Sequence, residues 1–431
     1  MEQIFHKGYK FRLYPTKEQE QVLLNWERAL KTLWNIALEQ RLMAYSRSKD
    51  ERKYPSFYEQ REGLQELRKE YHWLNELPFV ICDEVLQELD KAWQRCFSNL
   101  AKAPYWKRKI DYVGMKVSTG RSFCIEFNGN PIHEEVKAIN KKTGAEQKGV
   151  SYFHDNKEVN PNRNYKLHFP KMKEPISIIV HRPMEGIQKN CTIKRSGNKW
   201  YASIMCEIEK KIPENFNSTS IGIDVGVANA ISDSNGKLIP NPQFDKLLEN
   251  KKKRFQRKLA KKEKGSKNKI KVLKALGKIT TKIANQRNNF QHQQSNYYAK
   301  NYSKVFVEDL NIKNMTKNNS GTIEEPGKNV AQKSGLNRGI LNVGWYSFVY
   351  KLNYKLGWNG GQLIKVQSKY TSQTCPKCKN VDKDNRKTQE DFKCIVCGYI
   401  NHADIVGAIN ILNGIIIEKK KPKTSLKSIK K

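Results

Sequence analysis

Four cysteines near the C-terminus fall in two pairs, Cys375-Pro376-Lys377-Cys378 and Cys394-Ile395-Val396-Cys397, with fifteen residues between the pairs. Thiolates at that spacing can close a tetrahedral zinc site, and Gly398 permits a tight turn beside the second pair. Four protein ligands leave no open coordination position, so the Zn2+ expected there is structural and any catalysis must come from elsewhere. Carboxylates are the candidates. Asp224 stands in Gly222-Ile223-Asp224-Val225-Gly226, a charge inside an apolar run, which is costly unless it is paired or holds a metal. Glu308 closes Val305-Phe306-Val307-Glu308, and its neighbour Asp309 points to the opposite face if the strand continues. Asp404 opens a helical pattern. Taken singly, each has an ordinary alternative: Asp224 facing solvent or an arginine, Glu308 as a strand-end acid in water, Asp404 as a favourable acid in a first helical turn. Jointly, a strand Asp, a strand-end Glu and a helix Asp could converge on two Mg2+ ions about 4 Å apart, one activating water and one stabilising a leaving oxygen.

The elements that would position these groups can be read from periodicity. Residues 221–239 form a hairpin pattern, apolar from Ile221 to Ile231 and returning through Asn235-Gly236 to Leu238-Ile239. Residues 305–310 read as a short buried strand, 343–357 as a helix and 363–366 as a further strand. The helix led by Asp404 has Ile405, Ala408, Ile409 and Leu412 on one stripe. The polar stretch 311–342 reads as a mobile loop. Between the first two acids, residues 251–287 hold sixteen Lys/Arg and one acid, Glu263. An apolar stripe of Phe255, Leu259, Leu273, Leu276 and Ile283, broken at Gly265-Ser266, makes this two basic helices. A solvated face is the usual reading of a charge run, but this imbalance leaves repulsion that phosphate contact would relieve.

The first half of the chain differs. Residues 8–14 alternate as a strand, and Thr16 and Gln19 form a capping box for a helix with Leu23, Trp26, Leu30, Leu33, Trp34 and Ala37 on its apolar face. Further helices are expected over 57–70 and 80–99, the latter with Val85, Leu89, Ala92, Trp93 and Phe97 on one stripe. From 112 to 210 strand-like runs dominate, among them 176–180 and a hairpin of 191–195 with 199–204 turning through Ser196-Gly197-Asn198.

With 431 residues the chain needs more than one module. Lys and Arg number 80 against 43 Asp and Glu, a formal charge of +37 that nucleic acid would neutralise. The rival polyanion, a membrane surface, finds no run of 18 apolar residues and no signal-peptide core. The five other cysteines are scattered singly, unlike a secreted disulfide scaffold, which places the protein in a reducing, cytoplasmic compartment.

Tyr9-Lys10-Phe11-Arg12-Leu13-Tyr14-Pro15, His181-Arg182-Pro183, Gly222-Ile223-Asp224-Val225-Gly226, Val307-Glu308-Asp309-Leu310-Asn311, Tyr370-Thr371-Ser372-Gln373-Thr374-Cys375-Pro376-Lys377-Cys378 and the block from Cys394 to Asp404 together give a chain that resembles the TnpB family. These are RNA-guided nucleases of bacterial insertion-sequence transposons, related to type V CRISPR effectors. The resemblance implies a multidomain α+β protein. Residues 1–15 and 112–215 would be a β-rich wedge-like domain and 16–111 a helical recognition domain. Residues 216–370 and 401–414 would form an RNase H-like (RuvC) α/β nuclease domain, with 371–400 an inserted zinc ribbon and 415–431 a basic disordered tail. It further implies catalytic Asp224, Glu308 and Asp404 holding Mg2+, and Zn2+ on Cys375, Cys378, Cys394 and Cys397. Its partners would be a guide RNA and double- and single-stranded target DNA, bound by a monomeric protein of the prokaryotic cytoplasm, nucleoid-associated when on DNA. The loop after Glu308 would be a lid. The chain departs from relatives at Val406 and Gly407, where Asn and Ala are usual, and at Asn342 and Ser368, where Asp and Pro are common.

RNA-guided cleavage of duplex DNA is therefore the expected activity. A guided DNA-binding protein or repressor with little or no cleavage is the alternative, opposed by the presence of all three acids. A strand-transfer transposase is not supported, because no His-hydrophobe-His motif with a Tyr nucleophile stands out.

Overall fold

Alternation sets the first strand: Tyr9, Phe11 and Leu13 are buried while Lys10 and Tyr14 are exposed. The computed structural model describes residues 2–46, 55–108, 111–118, 123–127, 130–139, 146–152, 165–211, 219–322, 324–367 and 370–414. The expected basic tail and Ser368 lie outside the described residues. The chain divides into two units, Met1–Lys211 and Ile212–Lys431.

In the first unit β1 (Glu2–Tyr14) leads into α1 (Lys17–Ser46). The Thr16 amide donates to Gln19 Oε1 at 3.0 Å and the Gln19 amide to Thr16 Oγ1 at 3.2 Å, the reciprocal cap expected of these residues. A second box, Ser56 with Glu59, opens α2 (Phe57–Glu70), followed by α3 (His72–Asn75) and α4 (Phe79–Phe97). Leu23, Trp26, Leu30, Leu33, Trp34 and Ala37 are buried as the periodicity requires, and so are Val85, Leu89 and Trp93. Phe97 departs from the expected stripe: it is 53% exposed and stacks on Trp93. The strands β2 (Met115–Val117), β3 (Cys124–Phe127), β4 (Asn130–Pro131), β5 (His133–Ile139), β6 (Glu146–Tyr152), β7 (Tyr165–His168), β8 (Ile176–Ile179), β9 (Ile187–Ser196) and β10 (Lys199–Lys211) join β1 in one ten-stranded sheet. β9 and β10 are the expected hairpin with longer arms, and β10 pairs antiparallel with β1 from Glu2↔Lys211 to Leu13↔Trp200. One core serves both the helices and the sheet.

The second unit is built on a five-stranded sheet of order β13-β12-β11-β14-β15. Its first three strands are β11 (Ser220–Asp224), β12 (Asn229–Asp233) and β13 (Leu238–Pro240). Then come α5 (Lys246–Ala260), α6 (Lys267–Asn301) and β14 (Lys304–Glu308). The helical break falls where expected, with the Ser266 hydroxyl capping the Lys269 amide at 3.1 Å, although α6 runs on to Asn301. Residues 311–342, expected as a mobile loop, contain helical segments. They carry α7 (Ile312–Met315) and α8 (Val330–Val343), and α8 is tied back by Lys333 Nζ and Asn337 Nδ2 donating to the Met315 and Thr316 carbonyls. Gly344, at φ +72°, breaks the path into α9 (Trp345–Trp358), a left-handed turn that favours glycine. β15 (Gln362–Val366) completes the sheet, and β16 (Asp391–Lys393) pairs with β17 (Ile400–His402) before α10 (Ala403–Leu412). No helix among the described residues is long and apolar enough to cross a membrane.

Candidate active site

β11 and β14 are parallel neighbours, in register from Ser220↔Lys304 to Ile223↔Val307. Asp224 and Glu308 therefore end adjacent strands side by side. Ligand sites in open α/β sheets form at this carboxyl edge, where side chains leave the sheet. Ile221, Ile223, Val305 and Val307 fix both strands in the core.

Asp404 reaches the same edge because α10 lies directly on β11. A Cβ added at Gly222 would stand 2.1 Å from the Ala408 carbonyl oxygen and 2.7 Å from the Leu412 amide, so only glycine lets strand and helix come this close. One turn after Asp404, a Cβ on Gly407 would lie 3.0 Å from Asp224 Oδ2. Gly407 thus leaves space for the Asp224 carboxylate. The buried face is not the stripe expected: of Ile405, Ala408, Ile409 and Leu412 only Ala408 is buried, the other three are half-buried, and Ala403, Val406, Gly407, Asn410 and Ile411 are covered instead.

Electrostatics follow from this crowding. Burial, then repulsion from Glu308 and Asp404, pushes the Asp224 carboxyl up to about 7, against a smaller opposing pull from Arg386. Burial also raises Glu308, opposed by the Thr371 hydroxyl, which donates to Oε1 at 2.5 Å. Asp404 is held at both oxygens, by Asn229 Nδ2 at 3.0 Å and by Arg386 at 3.3 Å. Such an arrangement suits divalent cations, whose charge would relieve the repulsion. Asp309, as its alternation suggested, is elsewhere and pairs with Lys365.

The four cysteines converge independently. Their sulfurs lie within 4.8 Å of one another, with Cys375–Cys397 and Cys378–Cys394 at 3.5 Å, and none is disulfide-bonded. A tetrahedron with metal–sulfur bonds of about 2.3 Å has edges of roughly 3.8 Å, so the set fits a zinc-sized ion. The Cys397 amide, with that of Val396, lowers the Cys394 thiol, whereas Cys378 beside it is raised. Among the described residues this is the one compact cluster of metal-ligand side chains; the three acids are neighbours without packing so tightly.

Asn229, Thr371, Arg386 and Asn410 were not singled out from sequence. Asn410 offered a signal, as a polar residue in an apolar helix; the others become partners only through tertiary contact. The basic helices hold the charge expected of them: α5 buries no residue, and Lys253, Arg254, Arg257, Lys258 and Lys261 cluster on and just beyond it. Asn342 donates to the carboxylate of Asp245.

Three family models match the chain: "Helix-turn-helix domain" over residues 1–50, "Probable transposase" over 203–319 and "Cas12f1-like, TNB domain" over 345–411. The described part of the first stretch is a strand and a single long helix. The chain is 31% identical over 411 residues to "Putative RNA-guided DNA endonuclease InsQ" of Escherichia coli, spanning 94% of this chain and 91% of the relative. It is 25% identical over 418 residues to "Putative RNA-guided DNA endonuclease" of Streptomyces pristinaespiralis, spanning 96% and 90%. A solved structure, "Cryo-EM structure of the Cas12f1-sgRNA-target DNA complex", shares the fold with a TM-score of 0.51 at 16% identity, covering 96% of this chain and all of that one.

Proposed function

The chain belongs to the TnpB family, and on that premise we propose that it is an RNA-guided DNA endonuclease. It cuts double-stranded DNA beside a short adjacent motif, using Asp224, Glu308 and Asp404. The observation that carries this reading is the meeting of those three carboxylates, from β11, β14 and α10, at the carboxyl edge of a parallel strand pair.

The sheet order and the helix laid across β11 support an RNase H-like (RuvC) domain over 216–370 and 401–414, with 371–400 as a zinc ribbon set into it. The three carboxylates would hold two Mg2+ ions, which when bound supply an activated water and neutralise charge on the leaving oxygen. The chain's own residues prepare that site. Burial, and then repulsion from Glu308 and Asp404, raises the Asp224 carboxyl so that it is partly protonated near neutral pH. Divalent cations held there would favour its ionised form. Asn229 and Arg386 fix both oxygens of Asp404. The exposed bases of α5 and α6 bind phosphates by releasing counterions. Cys375, Cys378, Cys394 and Cys397 hold a structural Zn2+, and the ribbon handles the target strand. The wedge-like strands (1–15 and 112–215) and the recognition helices (16–111) hold the guide RNA and read the adjacent motif, while guide pairing carries sequence specificity. The protein works as a monomer in the cytoplasm.

Sequencing the RNA that co-purifies with the protein from its native host tests this. A discrete RNA is expected that programmes cutting of a matching plasmid only where a short flanking motif is present. No discrete RNA would contradict the reading. Binding without cleavage in Mg2+ or Mn2+ would favour a guided DNA-binding protein or repressor instead.

A further inference from the structure

α10 is apolar along most of its length, and its two hydrogen-bonding side chains are Asp404 and Asn410. Asn410 is 8% exposed and its amide donates to two backbone carbonyls, Thr371 at 2.8 Å and Thr374 at 2.6 Å. Both belong to the turn that immediately precedes Cys375. That turn starts at Tyr370, a non-glycine residue at φ +62°, and closes with the Gln373 and Thr374 amides donating to the Tyr370 carbonyl at 3.0 Å. A backbone of this kind persists where its surroundings over-determine it.

The cysteine module holds the same turn from the other side. Asn385, fully buried between the two knuckles, donates to the Gln373 carbonyl at 2.9 Å and the Asn380 carbonyl at 3.3 Å, and accepts from the Ile395 amide at 3.0 Å. One side chain thus joins the turn, the first knuckle and the second. From this doubly held turn, the Thr371 hydroxyl reaches Glu308 Oε1 at 2.5 Å.

We infer that Thr371 is a positioning residue for Glu308, and that Asn410 and Asn385 make its position depend on closure of the four-cysteine site. The inference rests on the reading of Glu308 as a metal-holding carboxylate. A glutamate at a strand end has three side-chain torsions to settle. Engaging Oε1 with a hydroxyl stops the rotation of the carboxylate and fixes the direction of its second oxygen before any cation arrives. Removing groups of this kind, behind a metal ligand, typically costs about 10- to 100-fold in metal affinity or activity. The ribbon then does more than handle nucleic acid, because its folding sets one of the three carboxylates.

The test is calorimetric titration of Mn2+ into the full-length chain without nucleic acid, with zinc content measured on the same samples. Thr371→Val keeps the side-chain volume and removes the hydroxyl; roughly 10- to 100-fold weaker Mn2+ binding is expected, with zinc retained. Thr371→Ser restores the hydroxyl and should bind within about threefold of wild type. Asn410→Ala should reproduce the loss, and combining it with Thr371→Val should add little, because both act through one bond. In cleavage by the RNA-loaded protein, Thr371→Val should need more Mg2+ for half-maximal rate while saturating Mg2+ restores the rate. If Thr371→Val binds Mn2+ within about twofold of wild type while Glu308→Gln binds poorly, the positioning role is wrong and the reading of Glu308 stands. Loss of zinc from Thr371→Val, or failure of Thr371→Ser to rescue, also overturns it. If Glu308→Gln and Asp224→Asn both bind Mn2+ like wild type, the metal-site reading itself fails.

Discussion

Replacing Asp224 with Asn should destroy cleavage and at the same time stabilise the metal-free protein. Burial and the like charges of Glu308 and Asp404 move the Asp224 carboxyl from 3.8 to about 7. The folded protein therefore holds a proton that the unfolded chain gives up above about pH 4, so the site costs stability increasingly as pH rises from there to about 7. Three pH units at about 1.4 kcal/mol each set a ceiling near 4 kcal/mol, and screening by solvent brings this to about 2–4 kcal/mol at pH 8. Asn has no charge to repel. For a unit of this size the difference corresponds to roughly 5–10 °C in melting temperature, with about half of it remaining at pH 5.5. Scanning calorimetry at both pH values would measure it, in buffer stripped of divalent ions over a resin, since a soluble chelator would also attack the cysteine site. Added Mg2+ should raise the wild type and not the variant, narrowing the gap. A variant no more stable than wild type at pH 8, or an advantage independent of pH, would refute the electrostatic account.

Other perturbations give separate outcomes. Gly222→Ala, whose Cβ would stand 2.1 Å from the Ala408 carbonyl, should push α10 from the sheet, cost about 3 kcal/mol or more in chemical denaturation and abolish cutting, although Gly222 carries no chemistry. Gly407→Ala should show opposed effects, gaining about 1 kcal/mol of helix propensity and losing it to the 3.0 Å approach to Asp224, so its net stability change should stay under about 1 kcal/mol in the same assay. Cys394→Ser should lower bound zinc, read by atomic absorption, from one per chain to about none and melt the module at lower temperature. Alanine at Lys253, Arg254, Arg257 and Lys258 together should weaken nucleic-acid binding whatever its sequence and flatten the salt dependence by up to about 0.9 log units for each phosphate no longer neutralised.

Much of the frame was legible because local chemistry dictated it. The Thr16–Gln19 box, the turn at Gly197-Asn198 and the break before Ser266 are decided within a few residues, and the structure has all three. The cysteine spacing likewise implied the cluster. α8 was missed because it lacks both usual signals: its N-cap, Asn329, is left-handed without a side-chain cap, and only Ile340 and Val343 are buried. Tertiary bonds from Lys333 and Asn337 hold it instead. The partners of the acids were hidden for a related reason. Thr371 is 63 positions from Glu308 and Asn229 is 175 from Asp404, and no periodicity links residues so far apart. The crowding on α10 was equally invisible, since it depends on a strand and the cysteine module covering one helix together.

Guided, metal-dependent cutting at the three carboxylates is tested by cleavage of a guide-matched duplex by wild type and Asp224→Ala, each with and without the co-purifying RNA, in Mg2+. The expected result is cutting by the wild type only with RNA and Mg2+, and none by Asp224→Ala despite retained RNA binding. Cutting by Asp224→Ala at the wild-type rate, or by the wild type without RNA, would contradict it.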